Sequence, residues 1–299
     1  MAARMLGPEL KPLSTKLTAV YSARPVTANA LVLLPRRPAR ALSELPASDV
    51  RDLFATAGAA CAAGGGAAGF NWSLRDDWVV GSALEQLHLH VVPRRPAVAD
   101  AGMFCADFRE NDEVYARLEA WHPADGATNA PPAREWPDDG DRRDRTEEEM
   151  AAEARGYRGA QAGGAEAVAA ALPAAHPFAR VALPQGQLFW ASALSVAFVN
   201  LKPLVPGHVL VTPRRVVPRY GGLTAEEAAD LWEGVRCVQA IVGGVRGAVA
   251  FDVGMQVRIP EVIPAVISFL VISAFDVGMQ DGPIAGQSVP HVHVHVLPK

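Results

Sequence analysis

Near the end of the chain three histidines alternate with valines, HVHVHV over residues 291–296. A strand sends alternate side chains to opposite faces, so His291, His293 and His295 share one face. Val292, Val294 and Val296 then turn the other way, into a core. A row of imidazoles adds little to packing, and a bland surface strand would carry Thr, Lys or Glu there instead. Two chemistries use such a row. Neutral imidazoles can hold zinc or iron, with His208 as a further ligand. Alternatively, one imidazole nitrogen attacks a phosphorus atom while its neighbours polarise the phosphate and move protons. Spacing by itself admits both.

The flanking residues favour phosphate. Gly286, Gln287, Ser288 and Val289 stand just before the row, in DGPIAGQSVPHVHVHVLPK. Free backbone N–H groups, a Gln amide and a Ser hydroxyl bind phosphate oxygens. Upstream, FVNLKPLVPGHVLVTP combines Asn200, Lys202, a Pro-Gly turn and His208.

Together these segments resemble the histidine-triad (HIT) hydrolases, and most closely the fragile-histidine-triad branch of dinucleoside triphosphate hydrolases. The resemblance is carried by the alternating histidine motif, the GQS before it and VPGHVLV. It extends over nearly all of both halves, including FRENDEVYARLEAW…REWP…EEEMAAEARGYR between Phe108 and Arg158, which is similar to that branch's C-terminal tail.

The resemblance implies that His293 attacks the α-phosphorus of a nucleotide and that water then releases the mononucleotide. It implies further that Gln287, Ser288 and His295 hold phosphate oxygens, and that His291 and His208 support the site. Asn200 would contact the ribose, and Gln280, just before Asp-Gly-Pro, would lie near the phosphates. No cofactor is needed, although a divalent cation (Mg or Mn) can accompany the substrate. One position departs from the pattern: a substrate-contacting His expected near the start of the unit aligns with Val181. The same family includes phosphoramidases and adenylyl-sulfate hydrolases. From other classes, a non-catalytic nucleotide-binding signalling or scaffold protein and a metal-dependent enzyme stand as alternatives.

The elements that must position these residues occur twice. ALVLLPRRPARALSEL (30–45) and HVLVTPRRVVPRYGGL (208–223) are strand-like runs closed by proline. Each precedes a helix-like segment, starting at Ser48 and Thr224. Thr224 and Glu227 form a capping box, and Leu231, Val235 and Val238 follow at helical spacing. Each copy ends in His-x-His, at EQLHLHVVPR and PHVHVHVLPK.

The repeat predicts an α+β fold of two HIT-like units, each an antiparallel sheet with one long helix. Residues 1–158 form the first unit, with a loop over 123–148. Residues 159–175 are a linker with a helical stretch, and 176–299 are the second unit. The units pair within the chain as a pseudo-dimer or, alternatively, through a homodimer.

Aligning the copies sets Gln86 opposite His291, His88 opposite His293 and His90 opposite His295. It also sets Ser82 at Gln287, Arg75 at Gln280, Ser22 at Asn200 and Ala30 at His208. The first copy thus reads as a degenerate scaffold.

AFDVGMQ occurs at both 250–256 and 274–280. Removing 257–280 restores the family's expected strand and turn, so this stretch reads as an apolar insertion, either a tandem duplication or a retained non-coding stretch of the gene, which leaves open which of Gln256 and Gln280 faces substrate. The second copy stops at Lys299 without such a tail, which reads as a weakened enzyme or an incomplete sequence, or else the first copy's tail, with Tyr115 and Trp121, serves the second site. His122 and His176 are expected in solvated loops.

A net charge of -4 gives no general attraction to nucleic acid or membrane. The apolar run 262–273 falls short of the ~20 residues a membrane-spanning helix needs. Three cysteines without CxxC suit a reducing, cytoplasmic setting, with nucleus and organelle open.

Overall fold

The computed structural model describes residues 14–22, 25–63, 67, 69–75, 86–95, 107, 142–248, 251–257, 279–281 and 289–298. The first copy consists of β1 (Leu17–Tyr21), β2 (Leu31–Pro35), α1 (Ala47–Ala63), β3 (Gly69–Arg75) and β4 (His88–Arg94). Then come α2 (Glu147–Gly159), α3 (Gly164–Ala171) and a hairpin of β5 (Ala175–Phe178) and β6 (Val181–Pro184). The second copy runs β7 (Leu188–Ala191), β8 (Ser195–Val199), β9 (Val209–Pro213), α4 (Ala225–Arg246), β10 (Phe251–Val257), β11 (Met279–Asp281) and β12 (His293–Pro298).

Ten strands form one sheet in the order β1-β2-β4-β3-β11-β10-β12-β9-β8-β7, while β5 and β6 stand apart as a pair. The copies match element for element: β1 with β8, β2 with β9, α1 with α4 and β4 with β12. Pairing is antiparallel except between β10 and β11. Those two strands bring the ends of the repeated heptapeptides side by side, with Met255 against Met279 and Gln256 against Gln280. The end of the stretch read as an insertion forms β11 at the seam between the units, where β11 pairs with β3. Its interior, 258–278, lies outside the described residues.

Local sequence explains the long helix. Thr224 Oγ1 accepts the Glu227 N–H (3.2 Å), and Glu227 accepts the Thr224 N–H (2.8 Å). This completes the expected capping box. Leu231, Val235 and Val238 are fully buried, and Gly247 ends the helix at φ 68°.

Both copies share one core. α1 packs on α4, and the Phe54 ring stacks on Trp232 with centroids 3.4 Å apart. Trp72 meets Tyr220 edge-on at 4.5 Å, and Trp232 Nε1 donates to the Tyr220 hydroxyl at 3.0 Å. The two units thus pair within the chain through both sheet and core.

Three expectations change. The division at 158 counts α2 with the first copy, yet α2 packs against β7, β8 and α4 of the second. Arg158 donates to the Leu188 carbonyl (2.8 Å), and Gln161 to that of Phe189 (2.7 Å). Of the loop expected over 123–148, residues 123–141 lie outside the described residues. Residues 142–146 dock on the second copy, and 147–148 already belong to α2. Finally, His176 is no solvated loop residue: it sits on β5 and is 2% exposed, because the hairpin folds down against the histidine strand. His122, Tyr115 and Trp121 lie outside the described residues.

Candidate active site

The hydrogen bonds around the triad decide which ring nitrogens are available. His293 Nδ1 lies 2.7 Å from the His291 carbonyl. A carbonyl only accepts, so Nδ1 carries the proton and Nε2 keeps its lone pair. Among the described residues His293 Nε2 has no hydrogen-bond partner. His291 is held at both nitrogens: Nε2 donates to the Pro213 carbonyl (3.0 Å), and Nδ1 accepts the Ala179 N–H (3.4 Å).

A second chain of bonds sets His295. His208 Nδ1 accepts the Leu204 N–H at 3.1 Å, so His208 Nε2 carries a proton. That proton is donated to His295 Nδ1 at 2.7 Å. His295 must then carry its own proton on Nε2, which is buried with no partner among the described residues. The His293 and His295 rings lie with centroids 5.0 Å apart. One ring of the neighbouring pair thus keeps a lone pair on Nε2 and the other a proton.

Burial keeps these rings neutral. Loss of solvent pushes His293 and His291 down to about 4, with His291 also facing the His293 and His176 rings. His208 falls to about 3, through burial first and then the nearby Arg142 and Arg145 charges. Burial likewise holds His295 well below the usual imidazole range. A neutral imidazole is the nucleophilic form, and at neutral pH all four are in it.

Phe178 closes one side. Its ring is 5.3 Å from that of His293, 5.5 Å from His291 and 5.0 Å from Phe198. With Leu210 packed against Phe198, this forms an apolar wall beside the triad. Sequence reasoning missed Phe178, because nothing in HPFARVALP marks one aromatic as facing a site 115 residues later. It missed His176 for the same reason, and that ring stands 6.1 Å from His291. Burial, then the Arg214 charge, pushes His176 down to about 4. Val181, at the departing position, is 60% exposed on β6.

Asn200 sits at the end of β8, its Oδ1 accepting the Lys202 N–H (3.0 Å) and its Nδ2 3.1 Å from His208 Nε2. Both nitrogens donate, so the second contact is packing and not a hydrogen bond. The Val289 carbonyl accepts the His291 N–H at 2.8 Å, which turns the chain into the triad. Gly286, Gln287 and Ser288 lie outside the described residues. Gln280 on β11 pairs with Gln256 and with Asn71, whereas Gln256 on β10 pairs directly with His293. Among the described residues no three His, Cys, Asp or Glu side chains converge as metal ligands.

The first copy keeps the framework around its own histidine strand. His88 Nδ1 lies 2.8 Å from the Gln86 carbonyl, just as His293 relates to His291. Gln86 Nε2 donates to the Pro35 carbonyl at 2.6 Å, the bond that His291 makes to Pro213. Ala30 and Ser22 replace His208 and Asn200, so the imidazole that sets His295 has no counterpart.

The sequence model of the HIT domain family matches residues 14–97 and 185–299, well over half of the chain. The asymmetrical bis(5'-nucleosyl)-tetraphosphatase of Schizosaccharomyces pombe is 44% identical over 113 residues, 38% of this chain and 49% of its own. The bifunctional bis(5'-adenosyl)-triphosphatase/adenylylsulfatase FHIT of Arabidopsis thaliana is 42% identical over the same shares. The chain spans about half the length of these relatives. A crystal structure of the Caenorhabditis elegans NitFhit protein aligns at 36% identity over 43% of this chain and 25% of that one, with a TM-score of 0.34. No described helix is long and apolar enough to cross a membrane.

Proposed function

The chain belongs to the HIT domain family, and from that premise we propose that it hydrolyses dinucleoside polyphosphates through a nucleotidyl-histidine. The observation that carries this reading is the pair of ring nitrogens at the centre of the site. His293 Nε2 offers a lone pair fixed by the Nδ1 bond, and the His295 ring, with its centroid 5.0 Å from that of His293, carries its proton on Nε2. His293 Nε2 attacks the α-phosphorus, an N–P bond forms, and the bond to the bridging oxygen breaks. The electron pair leaves with the second nucleotide. His295 donates to a phosphate oxygen as charge builds on it. Water then attacks the same phosphorus, breaks the N–P bond and releases the mononucleotide, and the imidazole is restored.

Phe178 and Phe198 pack against the base, and Asn200 faces the ribose. Gln256 takes the part assigned on sequence to Gln280, since Gln256 is the residue paired with His293. Gly286, Gln287, Ser288 and Val289 supply the phosphate loop. The reaction needs no cofactor, and a magnesium or manganese ion enters with the polyphosphate. The relatives' names supply a second substrate class, adenylyl sulfate, which passes through the same intermediate. We place the protein in the cytoplasm, a reading supported by three cysteines with no CxxC motif.

The test is a chromatographic assay of purified protein with diadenosine triphosphate and with adenylyl sulfate, beside His293→Ala. Release of AMP by the wild type alone supports the proposal. Turnover that survives in His293→Ala overturns it.

A further inference from the structure

Between the two copies lies a segment that sequence similarity counts as the first copy's tail. Three successive carbonyls of the loop after β8 accept hydrogen bonds from it. Arg145 Nε donates to the Asn200 carbonyl at 2.9 Å, and its Nη2 donates to the same oxygen. The Arg145 backbone N–H reaches the Leu201 carbonyl at 2.9 Å. Arg142 Nη1 reaches the Lys202 carbonyl at 3.1 Å.

The Arg145 guanidinium is anchored in turn. Its side chain is 15% exposed and forms an ion pair with Glu153, which is 10% exposed. Glu153 also accepts from the Tyr157 hydroxyl (3.0 Å) and from Arg246 at the end of α4. These groups close over Gly207, where φ is +88° and a Cβ would meet Pro298 at 2.9 Å, Arg246 at 3.2 Å and the Tyr157 oxygen at 3.3 Å. Gly207 directly precedes His208. The loop that carries Asn200 and His208 is therefore gripped at both ends by one charged cluster on α2 and α4.

We propose that Arg145 is a positioning residue of the nucleotide site, locking Asn200 and, through His208, the proton-bearing nitrogen of His295. Without it the Asn200 carbonyl loses two charge-assisted donors, and the loop that aims His208 at His295 is released. The Arg142 and Arg145 charges also help keep His208 neutral, as the bond its Nδ1 accepts from the Leu204 N–H requires. The claim rests on the hydrolase reading for its kinetic consequence, not for its structural one.

The test compares Arg145→Ala, Arg145→Lys and Arg143→Ala. Arg143 pairs with exposed Glu149 on the same segment and makes no bond to the 200–202 loop, so it serves as control. In Arg145→Ala, KM for diadenosine triphosphate should rise about tenfold, with a smaller fall in kcat and an unchanged far-ultraviolet spectrum. Arg145→Lys, which keeps the charge and loses the two-pronged grip, should fall between. It also decides the matter if the alanine variant does not fold. Independently of turnover, the His208 and His295 ring resonances in ¹⁵N-histidine-labelled protein should move in both Arg145 variants and stay in place in Arg143→Ala. Unmoved resonances in a folded Arg145 variant overturn the proposal. A wild type with no turnover, combined with moved resonances, sinks the hydrolase reading and leaves the positioning role standing.

Discussion

His291 and Gln86 make the same bond in the two copies, a side-chain N–H donated to the carbonyl of the proline that ends the neighbouring strand. That coincidence assigns His291 an orienting role that an amide can fill. His291→Gln should therefore retain the fold and most of the His293 geometry, whereas His291→Ala leaves the Pro213 carbonyl unsatisfied. Losing such a buried bond costs ~1–3 kcal/mol, or roughly ten- to a hundredfold in rate. Parallel kcat/KM measurements on the two variants check this, and equal losses would argue against it.

The buried imidazoles also set a pH limit. His176, His208, His291 and His293 charge only near pH 3 to 4 when folded and near 6.5 when unfolded. Between those values the unfolded state holds more protons, so stability is level above pH 6.5 and falls as pH drops toward 4. Each such ring contributes up to about 1.4 kcal/mol per pH unit. Melting curves at pH 7.5, 6.0 and 5.0 should show a falling Tm, and a constant Tm would mean that the rings are not buried in neutral form.

At the scale of elements, the long helix α4 is pinned at both ends and along one side. Thr224→Ala removes half of the capping box and should cost about 1 kcal/mol. Gly234 faces the β7–β8 hairpin so closely that a Cβ would lie 2.8 Å from the Trp190 ring. Gly234→Ala should therefore destabilise by ~1–3 kcal/mol through overpacking, beyond any gain in helix propensity. Urea melts on both variants distinguish the two effects, and a neutral Gly234→Ala would show that Trp190 moves freely. The β5–β6 hairpin reaches the triad through its Ala179 N–H and Phe178 ring. β10 and β11 lie side by side in parallel, so the Met-Gln ends of the two heptapeptides meet in register at the seam between the units.

On the scale of the whole molecule, the sheet runs unbroken from β1 to β7 and the aromatic stack of Phe54, Trp232, Trp72 and Tyr220 joins both helices in one core. Truncating Phe54 in the first copy should therefore destabilise the second. Phe54→Ala should cost ~3–5 kcal/mol and lower a single cooperative transition seen equally by tryptophan fluorescence and far-ultraviolet dichroism. Two separate transitions, with only one of them shifted, would show that the units are energetically independent. Because the pairing that two-unit assemblies make between chains is made here within one, the protein should run as a monomer by light scattering.

The amino-acid sequence by itself determined whatever depends on neighbours a few residues apart. Alternation in HVHVHV set the shared face, Thr224 and Glu227 set the helix start, and the doubled order of strand, helix and His-x-His set two α+β units. Tertiary structure alone decided what depends on partners far along the chain. Ala179 and His291 are 112 residues apart, and Arg145 and Asn200 are 55 apart. No local pattern records such a contact. The tautomers of His293 and His295, the burial of His176, the register that sets Gln256 against His293 and the docking of α2 on the second copy all follow from chain segments meeting in space. A hydrogen bond selects a proton's place only once its acceptor has been brought to it.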